Sequence, residues 1–263
     1  MVTVPKFAQR KSGGPPLVVL TAYDAPTAQA AEAAGVDALL VGDSLGNVIL
    51  GQRDTLRVTI DDMVHHSRAV SRVRERALLI ADMPWMSYHL SPVDAASNAA
   101  RLVREGGADA VKLEGGKNRI DAIRAILACE IPVMGHVGLT PQSVLAMGGF
   151  KVQGRSEQQA DHIVEEAQAL AQAGVFSIVL EGIPADVARR VTDAVAVPTI
   201  GIGAGQACDG QVLVYHDLLG LSPGKSPKFV RRYANLYESS VDAIRHWATD
   251  VRDGAFPGPD ETY

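Results

Sequence analysis

Only two cysteines, Cys129 and Cys208, occur in 263 residues, and neither belongs to a CxxC motif. A disulfide framework and a Cys-ligated zinc site are therefore excluded, and the pattern suits a reducing compartment, the cytoplasm. No stretch approaches the roughly 18 consecutive apolar residues of a membrane span, and Met1 to Lys11 holds no apolar run of the secretory kind. Basic excess is missing too: 25 Lys and Arg stand against 30 Asp and Glu, for a net charge of -5. A nucleic-acid partner, which needs a basic face, is not expected. Neither a Ser/Gly-rich linker nor a low-complexity stretch interrupts the chain, so a single domain over 1–263 is expected, with a loosely ordered tail from about residue 253.

What the chain does have is a recurring short run of Val, Ile and Leu. The runs are Leu17–Thr21, Ala38–Gly42, Leu78–Asp82, Ala110–Glu114, Pro132–His136, Ser177–Glu181, Thr199–Gly203 and Gln211–Tyr215. Ala-rich helical stretches separate them. Continuous rather than alternating apolar character marks parallel strands covered on both faces. Three similar turns, at Ala33–Asp37, Glu105–Asp109 and Gln172–Phe176, each place glycine where a helix ends before a strand. Eight such units in this length predict a single (β/α)8 barrel, an α/β fold; an open doubly wound sheet is the rival.

In a barrel of this kind the chemistry gathers at the C-terminal strand ends. There the sequence places Asp24, Asp43 and Ser44, Asp82, Lys112 and Glu114, His136, Glu181, a glycine series from Gly201 to Gly205, and His216-Asp217. Strands often end where polarity begins, but carboxylates on four strand ends around one mouth imply a cation among them. Oxygen ligands favour Mg²⁺ or Mn²⁺ over zinc, and no HExxH motif appears. The GxGxG spacing of Gly201, Gly203 and Gly205 lies too late for a dinucleotide fingerprint; these glycines are expected to keep the rim slim for a substrate. His65 and His66, adjacent on a helix, point apart and read as a solvated or satisfied pair. Lys225 to Arg232 reads as the start of a late helix.

Six blocks then resemble the ketopantoate hydroxymethyltransferase family: Leu20–Asp24, Val41–Gly46, Ala81–Pro84, Val111–Gly116, Gly135–Ser143 and Gly148–Arg155. They run in the family's order across nearly the whole chain. The resemblance implies a Mg²⁺-dependent transferase that moves a one-carbon unit from 5,10-methylenetetrahydrofolate to 3-methyl-2-oxobutanoate, in pantothenate biosynthesis. It implies Asp43 and Asp82 as metal ligands and substrate neighbours, with Glu114 joining directly or through water. Ser44 and Lys112 would hold the substrate carboxylate, His136 would lie near it, and Glu181 would be the base that forms a Mg-chelated enolate. It also implies a homo-oligomer, a ring-based decamer.

The chemistry suits those residues. Removing the C3 proton of the oxo acid leaves charge on the ketone oxygen, which a chelated divalent ion stabilises. Glu181, on the sixth run, lies roughly across from the second and third, among Val179, Leu180 and Ile183, which strip water from a base. Lys112 offers a point charge, although an ion pair with Glu114 or a neighbour is the plainer role. Gly148 to Arg155 reads as a mobile lid. Two rivals stay open. A lyase or mutase of the phosphoenolpyruvate mutase and isocitrate lyase type would share the acidic rim but usually carries a Lys-Cys-Gly lid, missing here; a non-catalytic ligand-binding barrel would not need the acids.

Overall fold

Eight parallel strands close on themselves in sequence order. They are β1 (Leu17–Thr21), β2 (Ala38–Val41), β3 (Leu78–Asp82), β4 (Ala110–Lys112), β5 (Val133–Gly138), β6 (Ser177–Glu181), β7 (Thr199–Ile202) and β8 (Gly210–Leu213). The computed structural model describes residues 1–263. Pairing of Val19 with both Ala38 and Val212 seals the ring, so no strand edge is left open. The (β/α)8 barrel expected from the apolar runs is the fold.

Alternation along each strand explains the interior. Val19, Leu40, Ile80, Ala110, Met134, Val179, Ile200 and Val212 all point inward and pack as one cluster. Phe7, on the leading helix Val4–Ala8, plugs this cluster and meets Phe176 edge-on at 5.7 Å between ring centroids. Two residues further along the same strands, the inward series continues as Asp82, Lys112, His136 and Glu181. The barrel is thus apolar in its lower layers and polar in its top one, from a single rule of alternation.

The opposite rim is pinned by acids that take no part in any site. Asp37, Asp109 and Asp209 each accept a backbone N–H at the start of a strand, from the first or second residue: Val18, Leu79 and Thr199, all at 2.9 Å. Glu32 accepts from the N–H groups of Glu75, Arg76 and Ala77. Burial opposes its charge, but the three donors and the Arg76 guanidinium outweigh it and hold the carboxyl below its ordinary range.

Gly35, Gly107 and Gly174 all adopt the left-handed conformation predicted for the repeated turns. Two expectations are corrected. No helix joins β7 to β8: residues 203–209 make the crossover as a loop, with Gly203 and Gly205 left-handed to turn it. A side chain at Gly205 would also meet Ala185 Cβ at 2.6 Å, and one at Gly201 would meet Cys208 Sγ at 2.9 Å. These glycines serve the loop's own packing. Lys225 to Arg232 is not helical, because Arg232 folds back to Ser226 Oγ and the Gly224 carbonyl.

The chain divides into two compact units, Met1–Val214, which holds the barrel, and Tyr215–Tyr263. His216 and Asp217 fall in the second, on the short helix Tyr215–Leu219. Its long helix Leu236–Asp253 ends at left-handed Gly254, and beyond it Phe256 turns back on Trp247, with ring centroids 6.4 Å apart. The tail from residue 253 therefore carries defined contacts and a short 3-10 turn, Pro259–Glu261. No helix is long and apolar enough to cross a membrane.

Candidate active site

Register brings the polar strand ends to one level. Asp82 stands beside Lys112 in the β3–β4 ladder, and Gly138 beside Glu181 in the β5–β6 ladder. Asp43 and Ser44 follow β2 in the turn that enters a short helix, Leu45–Val48. Glu114 lies two residues past β4. Asp43, Asp82, Lys112, Glu114 and His136 are all buried, as expected of residues that line the barrel mouth from within.

Two groups form. In the first, the Asp43 backbone N–H donates to Asp82 Oδ2 at 3.1 Å, and Lys112 Nζ pairs with Asp82 Oδ1 at 2.7 Å, close in charge but not aligned as a directed hydrogen bond. Burial, then the neighbouring Asp82 charge, pushes the Asp43 carboxyl up to about 7, with Lys112, Gln142 and Thr55 partly offsetting them. Burial works against the Lys112 cation, but Asp82, Glu114 and Asp43 outweigh it and hold the ammonium protonated. Gly42 matters here: a Cβ would stand 2.8 Å from Ser44 Oγ, so glycine leaves the Ser44 hydroxyl its place. Ser44 Oγ is itself 2.8 Å from the Tyr23 hydroxyl.

His136 organises the second group. Its Nε2 is 2.9 Å from the Leu139 carbonyl, which can only accept, so Nε2 carries the proton. The same nitrogen is 3.3 Å from Glu181 Oε2, and Nδ1 is 3.4 Å from Lys112 Nζ and 3.8 Å from Glu114 Oε1. The imidazole thus stands between the two sides, with Nδ1 toward the Lys112 ammonium, Nε2–H given to the Leu139 carbonyl, and Glu181 in contact. Burial, then the Asp43 charge, raises Glu114 well above the ordinary carboxylate range.

No three His, Cys, Asp or Glu side chains converge as a ready metal cage. Asp43 and Asp82 are joined directly, through the Asp43 N–H; Glu114 is near enough for the Asp43 charge to act on it, with its Oε2 taken by the Gln142 N–H at 3.0 Å. Lys112 pairs with Asp82, the neighbour on β3, rather than with Glu114. Asp24, the first strand-end acid, caps the helix Ala25–Ala34 by accepting from Thr27 N at 2.8 Å. His66 is satisfied by the Tyr23 carbonyl, 2.6 Å from Nδ1. Sequence reasoning passed over Gln142 and Tyr88, which bond to each other and to Asp43 and Glu114; neither is charged, so nothing in a one-dimensional reading marks them. Gly148 to Arg155 rejoins the rim where Gln153 N donates to the Gly182 carbonyl at 2.9 Å, next to Glu181.

Comparison with known proteins decides between the readings this rim allows. The family model described as ketopantoate hydroxymethyltransferase matches residues 1–259. The chain belongs to the ketopantoate hydroxymethyltransferase family. It is 54% identical to the 3-methyl-2-oxobutanoate hydroxymethyltransferase of Moorella thermoacetica over 262 residues, covering 100% of this chain and 97% of that one. Against the enzyme of the same name from Methylobacterium sp. (strain 4-46) it is 55% identical, covering 99% and 90%. Solved structures share the barrel at far lower identity. One is phosphonopyruvate hydrolase in complex with oxalate and Mg²⁺, with 16% identity, a TM-score of 0.64, and 99% and 93% coverage. Another is 2,3-dimethylmalate lyase, a member of the PEP mutase/isocitrate lyase superfamily, with 20% identity, a TM-score of 0.62, and 99% and 91% coverage. These likenesses are of fold alone. Membership of the ketopantoate hydroxymethyltransferase family makes this a transferase acting on small molecules.

Proposed function

We propose that the chain transfers a hydroxymethyl group from 5,10-methylenetetrahydrofolate to 3-methyl-2-oxobutanoate, forming 2-dehydropantoate on the route to pantothenate. Family membership supports the reaction. The observation that carries the mechanism is the buried Asp43–Asp82 pair facing Lys112, joined through His136 to Glu181.

The pair fits a divalent cation. Mg²⁺ is usually held by one or two carboxylates, with water and substrate oxygens completing its shell. Two adjacent buried acids, one of them with a strongly raised pKa, need a positive charge that Lys112 alone does not supply. Asp43 and Asp82 would hold the ion, with Glu114 reaching it through water. When bound, the cation supplies Lewis-acid stabilisation for the charge that develops on the ketone oxygen.

The remaining work falls to side chains. The Lys112 ammonium, 2.7 Å from Asp82 Oδ1 and 3.4 Å from His136 Nδ1, is the point charge that would receive the substrate carboxylate beside Ser44. Glu181 is the base. Its Oε2 lies 3.3 Å from His136 Nε2, whose proton goes to the Leu139 carbonyl, so the carboxylate is kept at the mouth with its oxygens available for the C3 proton. The electron pair released at C3 bonds to the one-carbon unit as its two C–N bonds to the folate break, water supplies the hydroxyl, and the remaining water hydrogen and the C3 proton taken by Glu181 return to the two folate nitrogens, releasing tetrahydrofolate. A cytoplasmic, ring-based decamer completes the reading on resemblance alone.

The test omits folate. Incubating the protein with 3-methyl-2-oxobutanoate and Mg²⁺ in D2O and following C3 by NMR should show exchange that requires both the metal and Glu181. Glu181→Gln should lose at least about 10²-fold in turnover and still bind the oxo acid. No exchange with the wild-type protein, or lost binding with intact exchange in the variant, overturns the assignment.

A further inference from the structure

Gln142 sits on the 3-10 turn Pro141–Ser143 just past β5 and is buried. Its amide nitrogen donates to Asp43 Oδ2 at 2.8 Å and to the Met83 carbonyl at 3.0 Å, while its backbone N–H donates to Glu114 Oε2 at 3.0 Å. One residue therefore holds two acids from different strand ends.

The direction of these bonds is forced. The Met83 carbonyl can only accept, so the amide NH₂ must face it and Asp43, and the amide oxygen must face Tyr88. The Tyr88 hydroxyl accepts from the Glu114 N–H at 3.2 Å and gives its only proton to Gln142 Oε1 at 2.5 Å; the Glu114 carbonyl, at 3.3 Å, is the longer alternative. Hydrogens then point one way, from the Glu114 backbone through Tyr88 and Gln142 to Asp43 Oδ2. That oxygen must accept. Aligned bonds of this kind also polarise and strengthen one another.

We propose that Gln142 is a positioning residue: it commits one oxygen of Asp43 and one of Glu114 to the protein, so that each acid meets the cation through its other oxygen, and Tyr88 acts only through Gln142. The inference rests on the reading of Asp43 as a metal ligand. Its alternative is a polar network that only stabilises the fold.

Mn²⁺ binding to the substrate-free protein, followed by electron paramagnetic resonance beside the unfolding midpoint, separates the two. Gln142→Met keeps length and removes every side-chain donor; it should weaken Mn²⁺ binding roughly 10- to 100-fold, the usual cost of losing a residue that orients a ligand. Tyr88→Phe keeps the ring and should cost roughly threefold through the lost polarisation. The double variant should bind no more weakly than Gln142→Met, because the tyrosine's bond to the Gln142 amide is its link to Asp43. A folded Gln142→Met protein with wild-type Mn²⁺ affinity overturns the proposal, as do penalties that multiply in the double variant. Should Gln142→Met not fold, a folded Tyr88→Phe with unchanged affinity overturns it equally. Wild-type protein that binds no Mn²⁺ sinks the metal reading and this one together, whereas wild-type binding with unaffected variants sinks this one alone.

Discussion

Replacing Asp43 by Asn should stabilise the metal-free protein. The Asp43 carboxyl rises from an ordinary 3.8 to about 7, first through burial and then through Asp82. Because the folded-state value is the higher one, its contribution to stability is complete below the unfolded pKa and is lost as pH rises through about 7. About three pH units at 1.36 kcal/mol each set a ceiling of about 4 kcal/mol on the cost of the charged form. Asparagine keeps an oxygen for Gln142 and forfeits the attraction to Lys112, so about half of that ceiling, roughly 2 kcal/mol, should be recovered. For a protein of this size that is roughly 4 to 8 °C in Tm. Calorimetry in chelator should show wild type melting lower at about pH 8 than at about pH 5, and Asp43→Asn melting above wild type at the higher pH only. Added Mg²⁺ should raise the wild-type Tm and leave the variant unmoved. A variant that melts below wild type in chelator at the higher pH would refute the reasoning, since the buried charge would then be no burden.

Other perturbations test the frame. Glu32→Ala leaves three N–H donors without their acceptor, of which only that of Ala77 is buried, and should cost roughly 1 to 3 kcal/mol by urea unfolding; since the Glu32 pKa is lowered, the stability it supplies is present above its unfolded value and fades as pH falls through the folded one, so wild type and variant should converge in acid. Phe7→Ala empties the plug beneath the barrel and should cost roughly 3 to 5 kcal/mol, read as a lower denaturant midpoint with activity retained below it. Gly205→Ala meets both a left-handed backbone and Ala185 Cβ and should destabilise by at least about 1 kcal/mol; a neutral result would mean the β7–β8 loop shifts freely.

The eight apolar runs, the glycine-closed turns and the acids at the strand ends were all legible in one dimension. They depend on local periodicity and on the barrel's habit of gathering strand ends, and alternation alone carries Ile80 to Asp82 and Val179 to Glu181. Other features depend on which strands become neighbours and at what register. Lys112 pairs with Asp82 because β3 and β4 align those two residues, a fact no spacing along the chain contains. The missing β7–β8 helix escaped for a related reason: seven residues between apolar runs do not show whether they coil or helix until closure sets the gap they must cross. Gln142 and Tyr88 were invisible because uncharged side chains gain electrostatic purpose only when folding buries them against charges. Sequence by itself thus determined the barrel and the acids at its mouth; the tertiary structure decided which acids share a partner and which atoms of each remain open, because hydrogen bonds and buried charges act over a few ångströms and only the closed ring sets those distances.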